Sequence, residues 1–110
     1  MNIEKIYYEN LKFFSKLLEE YNPFIFYGTL LGFVRDGSFI KNDDDIDFLI
    51  DIKFKEKIIE KIKRLENFKI NRELESEYFT QLIQKNNNYR ICIDFYFYIN
   101  NASDKYIIEK

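Results

Sequence analysis

The sequence contains no histidine, and this absence removes several kinds of catalytic and metal site. A Ser-His-Asp or Cys-His nucleophile system needs an imidazole, and the usual histidine-containing zinc sites are excluded for the same reason. Any bound metal ion must therefore be held by oxygen ligands. The single cysteine, Cys92, cannot form an internal disulfide bond, which excludes a disulfide-stapled secreted scaffold and favours a reducing compartment.

Long apolar runs and an excess of basic charge are also missing. The longest apolar stretch, residues 24–34, contains two glycines and a threonine and is far shorter than the roughly 20 residues of a membrane-spanning helix. No signal peptide is evident, because Glu4 and Lys5 interrupt the first residues. The formal net charge of −2 disfavours dedicated nucleic-acid binding, which requires a basic surface. We expect a soluble, cytoplasmic protein, with peripheral association at the inner membrane face as an alternative.

Aromatic residues, in contrast, are abundant, with 12 Phe and 9 Tyr among 110 residues. Their large side chains can fill one hydrophobic core, and the length is that of a single domain, which we assign to residues 1–110. Exposed aromatic side chains would also favour a homodimer.

Hydrophobic periodicity predicts a mixed α/β (α+β) domain. Apolar residues at helical spacing predict a helix over residues 3–21, which Asn22-Pro23 ends because the residue before proline avoids helical angles. The other predicted elements are a buried strand at 24–27, a short helix at 29–35, a strand within 43–51, a helix at 53–66, a weak strand at 68–72 and a β-hairpin of 78–84 with 89–99. The order α-β-α-β-α-(β)-β-hairpin is typical of a mixed sheet flanked by helices.

The strongest chemical signal is the acidic run Asp43-Asp44-Asp45-Ile46-Asp47. Carboxylates at this density repel one another, and only a cation or a proton offsets the repulsion. In an extended segment Asp43, Asp45 and Asp47 lie on one side of the chain. Oxygen ligands of this kind suit Mg²⁺ or Mn²⁺, and Mg²⁺ is usually shared with substrate phosphates, so the pattern indicates a phosphate ester as substrate.

The acidic run has two other interpretations. A solubilising loop is the simpler alternative, although the run lies at the entrance of a predicted strand. A calcium-binding EF-hand is excluded, because its sixth position requires glycine and its twelfth an acid, and these positions hold Phe48 and Phe54.

Asp94 is the candidate for a further carboxylate, because it lies alone among apolar residues at 91–97. Burial of an unpaired charge there would cost several kcal/mol, and a metal ion or a cation such as Arg90 or Arg35 would remove that cost. The alternative is a half-exposed sheet face that Asp94 shares with Tyr96 and Tyr98.

A glycine turn, an arginine and the aspartates follow one another closely between residues 27 and 47. The segments are Tyr27-Gly28-Thr29-Leu30-Leu31-Gly32-Phe33-Val34-Arg35, Gly37, Phe39-Ile40 and Asp43-Asp44-Asp45-Ile46-Asp47. Together with Ile93-Asp94-Phe95, this pattern resembles the signature of the LicD family, which belongs to the nucleotidyltransferase-fold superfamily and includes fukutin-related proteins.

The resemblance implies a Mg²⁺-dependent (or Mn²⁺-dependent) transferase with a nucleotidyltransferase-like core. Such enzymes move a phosphorylated alcohol, such as phosphocholine or ribitol phosphate, from a CDP-linked donor to a sugar hydroxyl of a surface glycan. By position, the implied catalytic residues are Asp45, Asp47 and Asp94; the metal ligands are these three and Asp43; and the phosphate-binding residues are Gly28, Thr29 and Arg35.

The chain also departs from that family. Lys41-Asn42 stand where the family usually has proline and an aromatic residue, and members are generally longer. We expect no separate acceptor domain, so the chain is a minimal version, half of a dimeric site or a fragment. Two further functions stay open: a minimal nucleotidyltransferase that moves a nucleoside monophosphate from an NTP to a small molecule or protein, and a truncated non-catalytic nucleotide- or metal-binding module.

Overall fold

Helices pack on a mixed β-sheet in the part of the chain that the computed structural model describes, residues 3–25, 45–85, 91–100 and 106–108. The helices are α1 (Ile3–Leu17) and α2 (Lys55–Lys63), with short 3₁₀ helices at Glu19–Tyr21 and Ile52–Phe54. The strands are β1 (Phe24–Ile25), β2 (Asp45–Asp51), β3 (Phe68–Ile70), β4 (Phe79–Gln84), β5 (Cys92–Asn100) and β6 (Tyr106–Ile108). This architecture confirms the predicted α+β class.

The described strands form one sheet in the order β1-β2-β5-β4-β3, and β6 pairs with the end of β5. β2 and β5 are parallel, whereas β1 with β2, β3 with β4 and β4 with β5 are antiparallel. A parallel pair requires a crossover connection, which here consists of α2, β3 and β4. As a result, β2 and β5 lie side by side although they are far apart in the sequence.

One face of the sheet is apolar and is covered by both helices. Its fully buried residues include Ile46, Phe48 and Ile50 on β2, Leu82 on β4, Ile93, Phe95 and Phe97 on β5, Tyr7, Phe14 and Leu18 in and just after α1, and Ile58 and Ile62 on α2. Phe14 illustrates the packing: its ring makes edge-to-face contacts with Phe68 and Phe95, with centroids 5.2 and 6.3 Å away. The alternation along each strand leaves every second residue for the opposite face.

The end of the first helix follows the local sequence. The α-helix stops at Leu17, a 3₁₀ helix continues to Tyr21, and Asn22 adopts a left-handed conformation with φ 49°. Asparagine tolerates this conformation better than most residues, and the proline that follows disfavours further helical turns. The predicted end at Asn22-Pro23 is therefore confirmed, with a tighter last turn.

Lys61 of α2 forms hydrogen bonds to the end of α1 and to the 3₁₀ helix that follows it. Its Nζ donates hydrogen bonds to Glu20 Oε1 at 2.6 Å and to the backbone oxygen of Leu17 at 3.3 Å, and it lies 4.9 Å from the centre of the Tyr21 ring. The hydrogen bond lowers the pKa of Glu20 and raises the pKa of Lys61 from their ordinary values. Burial raises the pKa of Tyr21.

Most of the other predicted elements are confirmed with shifted boundaries. The helix expected at 53–66 is a 3₁₀ turn followed by α2, the weak strand is β3, and the hairpin strands are β4 and β5. The prediction of a buried first strand is wrong at Phe24, whose side chain is 58% exposed. Phe24 pairs with Leu49, which lies on the face away from the helices, so the core does not cover it.

Some predictions fall on residues that the structure does not describe. These are the helix at 29–35, the remainder of the strand at 24–27, and the turn at 86–88. Neither helix in the described ranges has both the length and the apolar character required to cross a bilayer.

Candidate functional site

Three aspartates converge where β2 and β5 run side by side. Asp47 lies directly opposite Asp94 in the parallel register, and Asp45 lies two residues earlier on β2, so all three point to the same face. One carboxylate oxygen from each residue can be chosen such that the three oxygens lie within 4.8 Å of one another. The apolar residues that alternate with them, Ile46 and Ile93, point into the core on the other face.

The acidic cluster is largely removed from water. Asp47 and Asp94 are 4% and 2% exposed, and Asp45 is half-buried. Two full charges 4.8 Å apart repel by roughly 3.5 kcal/mol at an effective dielectric constant of 20. A cluster of this kind is unfavourable when all three groups are ionised, and a divalent cation relieves the repulsion most directly.

Amide side chains from the neighbouring strands support Asp94. Gln81 of β4 lies opposite Asp94 in the register, and its Nε2 donates to Asp94 Oδ1 at 3.0 Å. Asn71, just after β3, donates from Nδ2 to Gln81 Oε1, also at 3.0 Å. The sequence alone does not indicate either residue, because a single Gln in a short strand gives no signal until the strand register is known.

The backbone of Asp45 is held from the opposite side of the sheet. Tyr7 of α1 is 1% exposed, and its hydroxyl donates to the carbonyl oxygen of Asp45 at 3.3 Å. The sequence predicted Tyr7 only as one apolar position of an amphipathic helix. In the structure its ring lies in the core while its hydroxyl reaches the strand that bears two of the aspartates.

Comparison with known protein families gives a match that spans most of the chain. The family model described as LicD/FKTN/FKRP, nucleotidyltransferase domain, covers residues 21–108 of the chain. The chain belongs to the LicD family. No curated protein and no solved structure gives a significant match.

LicD membership indicates a transferase built on a nucleotidyltransferase domain. The matched region contains β2 and β5 and therefore all three clustered aspartates. The α1 helix precedes the matched region. It nevertheless contributes Phe14 to the core, and the Tyr7 hydroxyl donates to the Asp45 carbonyl oxygen on β2, which lies within the match. The sequence resemblance to the family is thus confirmed.

The structure brings together only part of the predicted LicD site. Asp45, Asp47 and Asp94 form the cluster, and the alternative of a half-exposed face around Asp94 is wrong, because Asp94 and Tyr96 are each 2% exposed and Tyr98 is 9% exposed. The remaining predicted residues, Asp43, Gly28, Thr29 and Arg35, and the cation candidate Arg90, lie outside the described ranges. Their roles stay predictions.

Two open grooves in the described ranges lie elsewhere. One, of about 380 Å³, is lined by α1 residues that include Phe13, and the other, of about 340 Å³, lies between α1 and the segment that leads into β3. Neither groove is lined by an aspartate of the cluster.

Proposed function

We propose that this LicD-family chain is a divalent-metal-dependent transferase that moves a phospho-alcohol from a CDP-linked donor to a sugar hydroxyl of a surface glycan. The observation that supports this proposal most is the convergence of Asp45, Asp47 and Asp94 within 4.8 Å on a buried face. Phosphocholine and polyol phosphates are the donor groups that the family resemblance favours.

The donor set suits Mg²⁺ or Mn²⁺. All three candidate ligands are carboxylates, hard oxygen donors that these ions prefer, and the chain has no histidine. Mg²⁺ typically takes one or two protein carboxylates and completes its shell with water and substrate phosphate. A cluster of three acids thus provides enough ligands for an ion that it shares with a phosphorylated donor.

The cation, when bound, would neutralise charge on the donor pyrophosphate and stabilise the leaving group. Asp94 would orient the acceptor hydroxyl or accept its proton. The acceptor oxygen would then bond to the phosphorus that bears the alcohol, and the bond from that phosphorus to the bridging oxygen of CMP would break. The products are a phosphodiester and CMP, and no histidine is needed.

The rest of the proposed site comes from the family resemblance. Gly28 would let the backbone approach the donor phosphate closely, Thr29 would begin a helix whose N–H groups face that phosphate, and Arg35 would pair with it. Asp43 would support the metal ligands. Each role is a proposal for a residue outside the described ranges.

A nucleotidyltransferase reaction is the second candidate, favoured by the matched family model, whose description names a nucleotidyltransferase domain. The same aspartates would hold the metal ion, but the donor would be a free NTP and the transferred group a nucleoside monophosphate. The preferred donor therefore separates the two reactions.

Calorimetric titration tests the proposal. The wild type is titrated with CDP-choline, CDP-ribitol, CTP and ATP, each with and without Mg²⁺, and the titrations are repeated on Asp45→Asn/Asp47→Asn. Asp51→Asn is the matched control, because Asp51 is a buried aspartate of the same strand whose Oδ1 accepts from the Lys53 N–H, a bond that asparagine can keep.

We expect a CDP-alcohol to bind the wild type and Asp51→Asn only with Mg²⁺, and to lose binding in Asp45→Asn/Asp47→Asn. Preferential binding of ATP or CTP would move the nucleotidyltransferase reaction to first place. Binding that depends on neither Mg²⁺ nor the aspartates would contradict the metal-dependent mechanism. Absence of any binding would favour a fragment that lacks part of the site.

A further inference from the structure

The hydrogen bonds behind Asp94 form a chain with a defined direction. The backbone N–H of Glu73 donates to Asn71 Oδ1 at 3.2 Å, so the oxygen of this amide faces Glu73 and its nitrogen faces Gln81. The Gln81 oxygen accepts from Asn71, which leaves the Gln81 nitrogen to face Asp94 at 3.0 Å. A backbone N–H can only donate, and therefore it determines the orientation of every amide along the chain.

The strand register keeps this chain in place. Gln81 is directly opposite Asp94 on β5, and the backbone N–H of Asn71 donates to the backbone oxygen of Gln81 at 2.9 Å. Asn71 and Gln81 are both half-buried, so their amides are only partly open to solvent. The Asp94 carboxylate thus receives a hydrogen bond from a residue whose side chain and backbone both accept hydrogen bonds from Asn71.

We propose that Gln81 is a positioning residue of the metal centre and that Asn71 sets the orientation of the Gln81 amide. Gln81 holds the Asp94 carboxylate in one orientation before the metal ion binds, so that less ordering is required on binding. This inference rests on the proposed function, because it needs Asp94 to be a metal ligand. Outer hydrogen-bond partners of metal-binding carboxylates have this role in other metal sites.

Substitution at Asn71 separates this role from simple packing. Asn71→Asp keeps the oxygen that accepts from the Glu73 N–H, and hence the local turn, but it removes the donor to Gln81. The Gln81 amide nitrogen can then donate to either of two carboxylates, those of positions 71 and 94. If Asn71 served only the turn, this variant would not weaken metal binding, because the added negative charge by itself attracts a cation.

The experiment measures Mn²⁺ affinity by electron paramagnetic resonance on the folded variants Gln81→Leu, Asn71→Asp and the double variant, with thermal unfolding as a check of folding. Thr80→Val is the matched control. Thr80 precedes Gln81 on the same strand and donates to Glu75 Oε1 at 2.7 Å, but its side chain lies on the other face of the sheet.

We expect Gln81→Leu to weaken Mn²⁺ binding about tenfold, the lower end of the range for such outer partners. Asn71→Asp should weaken it by a similar or smaller factor, and the double variant should bind no worse than Gln81→Leu, because the effect of position 71 passes through Gln81. Thr80→Val should bind Mn²⁺ like the wild type even where its stability falls.

The outcomes separate this inference from the proposed function. If Asp45→Asn/Asp47→Asn abolishes Mn²⁺ binding while folded Gln81→Leu binds as tightly as the wild type, the positioning role is wrong and the metal centre stands. If the effects of the two substitutions on Mn²⁺ affinity are additive, Asn71 does not act through Gln81, and that part of the inference is wrong. If the wild type does not bind Mn²⁺, the metal-dependent function and this inference both fail.

Discussion

Replacement of Asp47 by asparagine is expected to stabilise the metal-free protein. Asp47 is 4% exposed, and its candidate ligand oxygen lies within 4.8 Å of those of Asp45 and Asp94. Each such pair of full charges repels by roughly 3.5 kcal/mol at an effective dielectric constant of 20. Partial solvation of Asp45 and favourable contacts of the cluster, such as the hydrogen bond from Gln81 to Asp94, offset part of this repulsion, so we expect a net gain of about 1 to 3 kcal/mol.

Urea unfolding in a chelator measures this gain, and Mn²⁺ should offset most or all of it by stabilising the wild type. At a free Mn²⁺ concentration of 100 times the dissociation constant, the wild type should gain about 2.7 kcal/mol, whereas Asp47→Asn should gain much less. The control Asp51→Asn keeps the acceptor for the Lys53 N–H and should follow the wild type in both conditions. The same substitution would thus stabilise the free protein and remove the stabilisation by metal.

Three results would refute this reasoning. If Asp47→Asn is less stable than the wild type without metal, repulsion is not the dominant energy of the cluster. If Asp47→Asn gains as much as the wild type from Mn²⁺, the ion binds elsewhere. A parallel shift in Asp51→Asn would show that any change at a buried aspartate of β2 produces the effect.

Three further predictions concern the helices. Tyr7→Phe loses the hydrogen bond to the Asp45 carbonyl and should destabilise by about 1 kcal/mol in urea unfolding; an unchanged midpoint would contradict a role for this bond. Phe14→Ala removes a fully buried ring and should cost about 3 to 5 kcal/mol by the same assay, unlike alanine at the exposed Phe13. The pKa of Glu20 is lowered from 4.5 and that of Lys61 is raised from 10.5. The pairing of Glu20 with Lys61 should therefore stabilise the folded protein between these two values. This stabilisation should be lost as pH falls through the folded-state pKa of Glu20 or rises through the folded-state pKa of Lys61. Lys61→Met should reduce both losses of stability when urea unfolding is measured across pH. The same pH dependence in the variant and the wild type would contradict the pairing.

Residue patterns were sufficient to predict most of the elements and the acids of the site. The helical spacing of α1, the proline after Asn22 and the alternation along β5 are local properties, because they depend on backbone angles and on which side of a single element is apolar. The choice of Asp45, Asp47 and Asp94 also came from the sequence, through their position beside apolar strand residues and their resemblance to a family. The phosphate-binding residues Gly28 and Arg35 stay predictions.

The tertiary structure decided which residues meet. That Asp47 lies opposite Asp94 depends on the parallel pairing of β2 and β5, and that Gln81 reaches Asp94 depends on the register of β4 against β5. The exposure of Phe24 was mispredicted for the same reason, because its partner Leu49 lies on the face away from the helices. Pairing and register arise from the simultaneous burial of several elements, and a shift of one residue would turn each side chain to the other face. Local sequence therefore determined the chemical groups available, whereas packing determined their neighbours.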